Sequence, residues 1–305
     1  MSPGSVTGDY LGDMTAASLA RPDRPGLTER VPPQLFFVVS AVFHYLGPAC
    51  AVLLFAAVAP LGVAWLRIAS AAVVFALWRR PWRYYRTLGG RDRRTVLMLG
   101  AVLAAMNSCF YLAIDRLPLG TVGAIEFLGP IGLAAVGSRT RRNSAALALA
   151  AVGVYVLTDV RIAGELWGFI LAFANCALFV AYVMLGHRLA ADGARQGIDR
   201  LGAAMLVAMV VALPIGVTDA VPAFRNPLLL LAGFGVGIAS SVIPYVCDQL
   251  AMARLPRATF ALMLSLLPAT ASVIGVLVLR QIPSAVEVLG VGLVIAGVAV
   301  HRAEA

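Results

Sequence analysis

Residues 113–137 read AIDRLPLGTVGAIEFLGPIGLAAVG, and residues 251–275 read AMARLPRATFALMLSLLPATASVIG. At a constant offset of 138, Ala113 aligns with Ala251, Arg116 with Arg254, Leu117 with Leu255, Pro118 with Pro256, Pro130 with Pro268 and Gly137 with Gly275. Each stretch is a charged Arg-Leu-Pro turn followed by an apolar segment with a second proline inside it. Two prolines and an arginine recurring in register point to an internal duplication.

Outward from these stretches the chain is one apolar run after another. Ten runs can be marked, at about 34–58, 61–78, 95–114, 119–137, 144–158, 166–185, 201–217, 227–250, 258–279 and 285–300. A helix needs about 20 residues to cross the hydrocarbon of a bilayer, so the fifth and tenth runs read as thin spans, with interfacial helices as the alternative. The first copy joins runs three and four and the second joins runs eight and nine. Five spans separate them, so the copies face opposite sides of the membrane. The expectation is an all-α integral membrane protein of ten transmembrane helices, built as two five-helix inverted-topology repeats over 34–163 and 164–302. Inverted repeats with broken helices at the midplane are the architecture of many secondary transporters.

Composition agrees. Of 305 residues, 61% are apolar and only 13% charged, whereas soluble domains show about 45–50% and about 25%. The net charge of +9 comes from 24 basic residues, all of them arginine. Nineteen of the 24 fall in alternate loops beginning with the N-terminal segment; Arg116, Arg161, Arg225 and Arg280 fall in the others, and Arg67 lies within a run. That asymmetry is the positive-inside pattern. It places both termini in the cytoplasm and reads the basic charge as topology, not nucleic-acid binding. Residues 1–33, polar and rich in Pro, Gly, Asp and Arg, lack the apolar core of a signal peptide and read as a disordered cytoplasmic tail. Cys50, Cys109, Cys176 and Cys247 lie singly in apolar runs, so neither a disulfide framework nor a metal site is expected. No cofactor is implied, and no HExxH, Walker A or GxSxG motif occurs, which argues against an enzyme.

Ionisable groups inside the bilayer cost about 2.5–3.5 kcal/mol each on insertion scales and tend to be functional. Glu126 lies two turns into run four, and Pro130 follows four residues later. A proline cannot donate to the carbonyl at i−4, so both the side chain and the backbone carbonyl of Glu126 are free to bind a proton, a ligand or a neighbouring helix. The same relation pairs His44 with Pro48 and Ser240 with Pro244, while Pro268 marks the second repeat. Asp248 is a second intramembrane acid, with Tyr245 three residues before it on a shared face; a snorkelling, interfacial role competes there. Asn107 with Tyr111, and Asn175 with Tyr182, each project from one helical face, as cavity lining or as interhelical glue. Arg67 is expected either to snorkel outward or to pair with an acid. Gly233 and Gly237 form a small-xxx-small pair suited to close packing.

These motifs resemble the EamA family of the drug/metabolite transporter superfamily over about residues 34–300, and within it exporters of threonine and homoserine. Pro60 and Arg67 are similar to a Pro…Arg pattern in the second span. Met106, Asn107, Phe110, Tyr111 and Leu112 resemble an MN–FYL pattern. PLGTVGAIEFLGP resembles a PLG–EF–GP segment that puts the family acid at Glu126, and residues 243–269 resemble a PY–RLP–TF–PA segment. The sequence departs from the pattern at Leu267, where such exporters usually carry Glu, and at Arg280-Gln281, where Gly-Glu is usual; the acid after PY is Asp248. The resemblance implies a secondary exporter of small amino acids in the bacterial cytoplasmic membrane, driven by proton exchange. Glu126 would be the proton or substrate-ammonium partner, and His44, Asn107, Tyr111, Asn175, Tyr182, Tyr245 and Asp248 would line the path. An exporter of another metabolite, lipophilic amine or drug is the first alternative, and a non-transporting membrane protein or a membrane enzyme the remote one; the sequence leaves open whether the chain acts alone or as a homodimer.

Overall fold

The computed structural model describes residues 31–137, 140–159, 162–190, 193–255 and 266–300. The tail and the Arg-Leu-Pro turn of the second repeat from Pro256 onward, apart from its last stretch, lie outside the described residues, as does the Pro130 side chain. Every regular element among the described residues is helical. In chain order they are α1 (Pro33–Leu54), α2 (Pro60–Arg79), α3 (Pro81–Thr87), α4 (Gly90–Ile114), α5 (Leu119–Gly137), α6 (Arg141–Asp159), α7 (Ile162–Ala190), α8 (Ala194–Gly216), α9 (Val221–Arg225), α10 (Pro227–Gly237), α11 (Ile243–Met252), α12 (Leu266–Leu279) and α13 (Ala285–Val300). A π turn, Ile238–Val242, joins α10 to α11.

Among the described residues, six stretches are long and apolar enough to cross a membrane: α1, α2, α4, α7 from Glu165 to Leu189, α8 from Arg195 to Gly216, and α10 through α11. Three shorter apolar helical segments lie at Leu119–Gly129, Leu267–Leu279 and Ala285–Gly297. Local chemistry sets many ends. Pro60, Pro81 and Pro227 start their helices where a missing N–H costs nothing. Asn226 caps α10 by accepting from the Leu228 amide at 3.0 Å. Ser284 and Glu287 form a reciprocal capping box at the start of α13. Arg80, at φ 49°, supplies the left-handed residue that turns α2 directly into α3.

The closest helix pairings cross between the two halves of the chain: α2 on α8, α4 on α7 and α8, α1 on α11, and α6 on α13. Small residues permit this. A Cβ at Gly62 would run into the Asp219 backbone, at Gly100 into Val207, and at Gly237 into Ser70 and the Arg67 carbonyl. Gly233 likewise faces Leu66, so the Gly233/Gly237 pair seats α10 against α2. The buried core is continuous from α1 to α13, while Leu77, Trp167, Leu228, Leu231 and Leu277 are exposed on the outside. An apolar exterior around a close-packed interior suits lipid as the solvent. At one end of the helices, Arg79 makes a bidentate pair with Asp199 at 2.6 and 3.0 Å, and Arg200 reaches Asp92 at 3.4 Å and the Leu189 carbonyl at 2.9 Å. These arginines therefore tie α2 and α4 to α8 as well as marking one face.

Candidate functional site

The polar interior gathers around Glu126, which is 2% exposed. Its Oε1 accepts from Asn175 Nδ2 on α7 at 2.9 Å. Its Oε2 accepts from the Tyr45 hydroxyl on α1 at 3.2 Å, and His44 Nε2 stands 3.8 Å from the same oxygen. Helices from both halves thus meet at one carboxyl group. Gly123 makes the approach possible, since a Cβ there would press on the Tyr45 ring and on Ala271 of α12.

Glu126 lines a small cavity with His44, Arg67, Met106, Asn107, Phe110, Asn175 and Tyr245. Its volume of about 10 Å³ is close to the minimum for one water molecule, so the conformation is closed around the site. Three polar atoms at its wall, Asn107 Oδ1, Asn175 Oδ1 and the Tyr245 hydroxyl, are buried without a hydrogen-bond partner among the described residues. Buried polar atoms are ordinarily paired, so this concentration of orphans singles the cavity out as the candidate site. The Asn107 amide group is half committed, donating to the Leu103 carbonyl at 2.7 Å.

Arg67 departs from both sequence expectations. It neither snorkels outward nor pairs with an acid: it is 4% exposed, and no described carboxylate lies within ion-pair distance of it. Its Nε donates to Ser241 Oγ at 2.8 Å and its Nη2 to the Ser240 carbonyl at 2.7 Å. The physical reason lies in Pro244. Its ring removes the amide that would have bonded the Ser240 carbonyl, the chain relaxes into the π turn, and the freed carbonyl takes the guanidinium instead. Tyr111 does not line the cavity; its ring lies beneath the guanidinium, 5.5 Å from Cζ to centroid.

Asp248 and Tyr182 border a second cavity of about 20 Å³, with Ser40, His44, Phe179 and Leu267 among its walls. Ser40 Oγ donates to Asp248 Oδ1 at 2.5 Å. Tyr245 and Asp248, three residues apart, therefore serve different cavities, and His44 lines both. Tyr182 stacks toward Tyr245 with ring centroids 5.4 Å apart. Pro48 lies buried within α1 and Pro268 within α12. Tyr45, Ser40 and Ser241 carry no mark in the sequence pattern itself. Ser40 was within reach of the i, i+4 rule from His44, but the partners of Tyr45 and Ser241 lie on remote helices.

A larger cavity of about 450 Å³ opens where the α4–α5 and α12–α13 connections meet, walled by Asp115, Arg116, Thr121, Ser272, Gln281 and Glu287 among others. Gln281 Oε1 closes part of it by accepting from the Leu119 amide at 3.1 Å.

Comparison with known proteins gives this arrangement its context. The EamA-like transporter family matches residues 166–302. The threonine/homoserine exporter RhtA of Salmonella typhimurium is 30% identical over 278 residues, covering 89% of this chain and 92% of that protein. RhtA of Escherichia coli is 31% identical over 279 residues with the same coverage. A protein known from its crystal structure superposes with a TM-score of 0.56 at 20% identity, over 87% of this chain and 95% of that one, and so shares the fold. With relatives of that similarity along nearly its whole length, the chain belongs to the EamA family of the drug/metabolite transporter superfamily: it is a multi-pass membrane exporter of a small molecule, not an enzyme.

Proposed function

We propose that the protein exports threonine, homoserine or a similar small amino acid from the cytoplasm in exchange for protons, through a site that opens alternately to either side. The observation that carries this reading is the closed cavity at Glu126. It holds a buried carboxyl group on α5 contacted from α1 and α7, with orphan hydroxyl and carbonyl atoms beside it. A substrate ammonium and a proton would compete for the same carboxylate, the simplest way to couple two opposed fluxes. The two RhtA relatives supply the substrate class.

Ten spans in two inverted five-helix repeats, with both termini cytoplasmic, complete the proposal. The pairings support the repeat: α4 against α7 has its counterpart in α11 against α1, the arrangement a two-fold exchange of the halves would generate. An apolar amine or drug is the second reading. It draws on Met106 and Phe110 in one cavity wall and on Leu267, in place of an acid, in the other.

Efflux of labelled threonine, homoserine and several unrelated amino acids from proteoliposomes, with and without a proton gradient, tests the proposal. Gradient-dependent threonine or homoserine efflux is the expected result. Efflux of lipophilic amines alone would transfer the protein to the second reading, and efflux indifferent to the gradient would remove the proton coupling.

A further inference from the structure

We propose that Arg67 is the anion anchor of the Glu126 cavity, holding the carboxylate of a zwitterionic α-amino acid whose ammonium group faces Glu126. The assignment rests on the amino-acid reading above and gives each end of the substrate its own partner.

The argument begins with an unbalanced charge. A guanidinium stays protonated wherever a protein puts it. This one is buried in the middle of a membrane-spanning helix, and no described carboxylate neutralises it. Of its five N–H donors, one goes to the Ser241 hydroxyl and one to the Ser240 carbonyl, both neutral acceptors. Two neutral acceptors and the face of Tyr111 soften the burial but leave the net charge in place. A buried charge in lipid is tolerated when a counter-charge meets it.

The acid that shares the cavity does not do so. Both oxygens of Glu126 are engaged by Asn175 and Tyr45, with His44 alongside. One cavity therefore has a cation at one wall and a carboxyl group at another, held apart by contacts to different helices. A zwitterion satisfies both walls at once. A cation alone would leave the guanidinium unmet. The unpartnered Tyr245 hydroxyl and the Asn107 and Asn175 carbonyl oxygens are placed to meet a hydroxyl on the substrate side chain.

Arg67 also grips the π turn, the part of the α10–α11 span that Pro244 has already loosened. The closed cavity is too small for any amino acid, so filling it requires helices to separate. Arrival of a carboxylate at the guanidinium would be felt directly at that turn.

The test compares threonine with threoninol, which keeps the ammonium and hydroxyl groups but has no carboxylate. Ligand-induced thermal stabilisation of the purified full chain is measured alongside competition against labelled-threonine counterflow in proteoliposomes. In the wild type threonine should stabilise and compete at least about tenfold better than threoninol, because a site built around a charged partner rejects an analogue lacking it. Arg67→Gln should abolish that preference and Arg67→Lys should keep part of it. Ser241→Ala, which removes a brace but leaves the guanidinium, should retain it. Equal binding of threoninol and threonine by the wild type overturns the assignment even if Arg67→Gln fails to fold, and so does a preference that survives Arg67→Gln. Carboxylate-dependent binding without transport would leave the anchor standing and sink the exporter reading. Transport of amines without carboxylate-dependent binding would do the reverse.

Discussion

The α6–α13 seam and the Glu126 cavity solve the problem of joining helices in lipid in opposite ways. At the seam, side chains are removed. A Cβ on Gly297 would collide with the Ala146 carbonyl and Ala150, and one on Gly153 with the Gly290 carbonyl and the Val294 amide. The helices touch backbone to backbone, and van der Waals contact suffices. Around Glu126 the chain instead keeps bulky polar groups, interrupts the α10–α11 span with a π turn and leaves a space. The seam shows that small residues alone can hold helices of this bundle together, so adhesion does not require the expensive groups at positions 44, 67 and 126.

That contrast can be broken by experiment. Glu126→Gln preserves size and most hydrogen bonding but not the charge; transport is expected to fall about hundredfold or more, the scale of losing a positioned acid–base group, with membrane insertion unchanged. Wild-type efflux in a well-inserted variant would reduce Glu126 to a strut. Gly297→Leu should do the opposite: overpacking of about 1–3 kcal/mol lowers the melting temperature and yield, while transport per inserted molecule stays the same. Asp248→Asn should lower gradient-driven efflux several-fold yet spare threonine–threonine exchange, since Asp248 sits in the neighbouring cavity with Ser40 and shares only His44 with Glu126; equal loss of both fluxes would merge the two cavities into one site. Ser241→Ala should act on stability more than on rate. It loses one hydrogen bond to a charged group, worth about 1.5–3 kcal/mol, to be read as a lower melting temperature with a modest drop in rate.

What the sequence disclosed and what it withheld divide along the range of the interactions. The proline breaks are local: Pro244 and the Ser240 carbonyl are four residues apart, and the rule that releases that carbonyl needs no tertiary knowledge. Hydropathy alone located the apolar helices, and the cost of charge in lipid singled out Glu126. The partners could not be read, because Tyr45 lies 81 positions from Glu126, Asn175 lies 49, and Ser241 lies 174 from Arg67. Shared faces misled where cavities are narrow. Asn107 and Tyr111 sit one above the other on α4, but only Asn107 reaches the space while Tyr111 supports Arg67. Arg67 itself met a backbone carbonyl and a hydroxyl that charge-pairing rules do not consider.

The π turn has one more consequence, in the phase of the helix. Successive side chains on an α-helix are separated by about 100°, so one extra residue in a turn rotates everything after it by about that angle. Before the turn, Gly233 and Gly237 address α2; after it, Tyr245 addresses the Glu126 cavity and Asp248 addresses Ser40 on α1. The single span carries two independent bearings. Deleting one residue within Ile238–Val242 would leave length and hydropathy nearly untouched, and the segment would still insert, yet Tyr245 and Asp248 would point to the wrong neighbours. Point substitutions along this span should be tolerated far better than a change in the count of its residues.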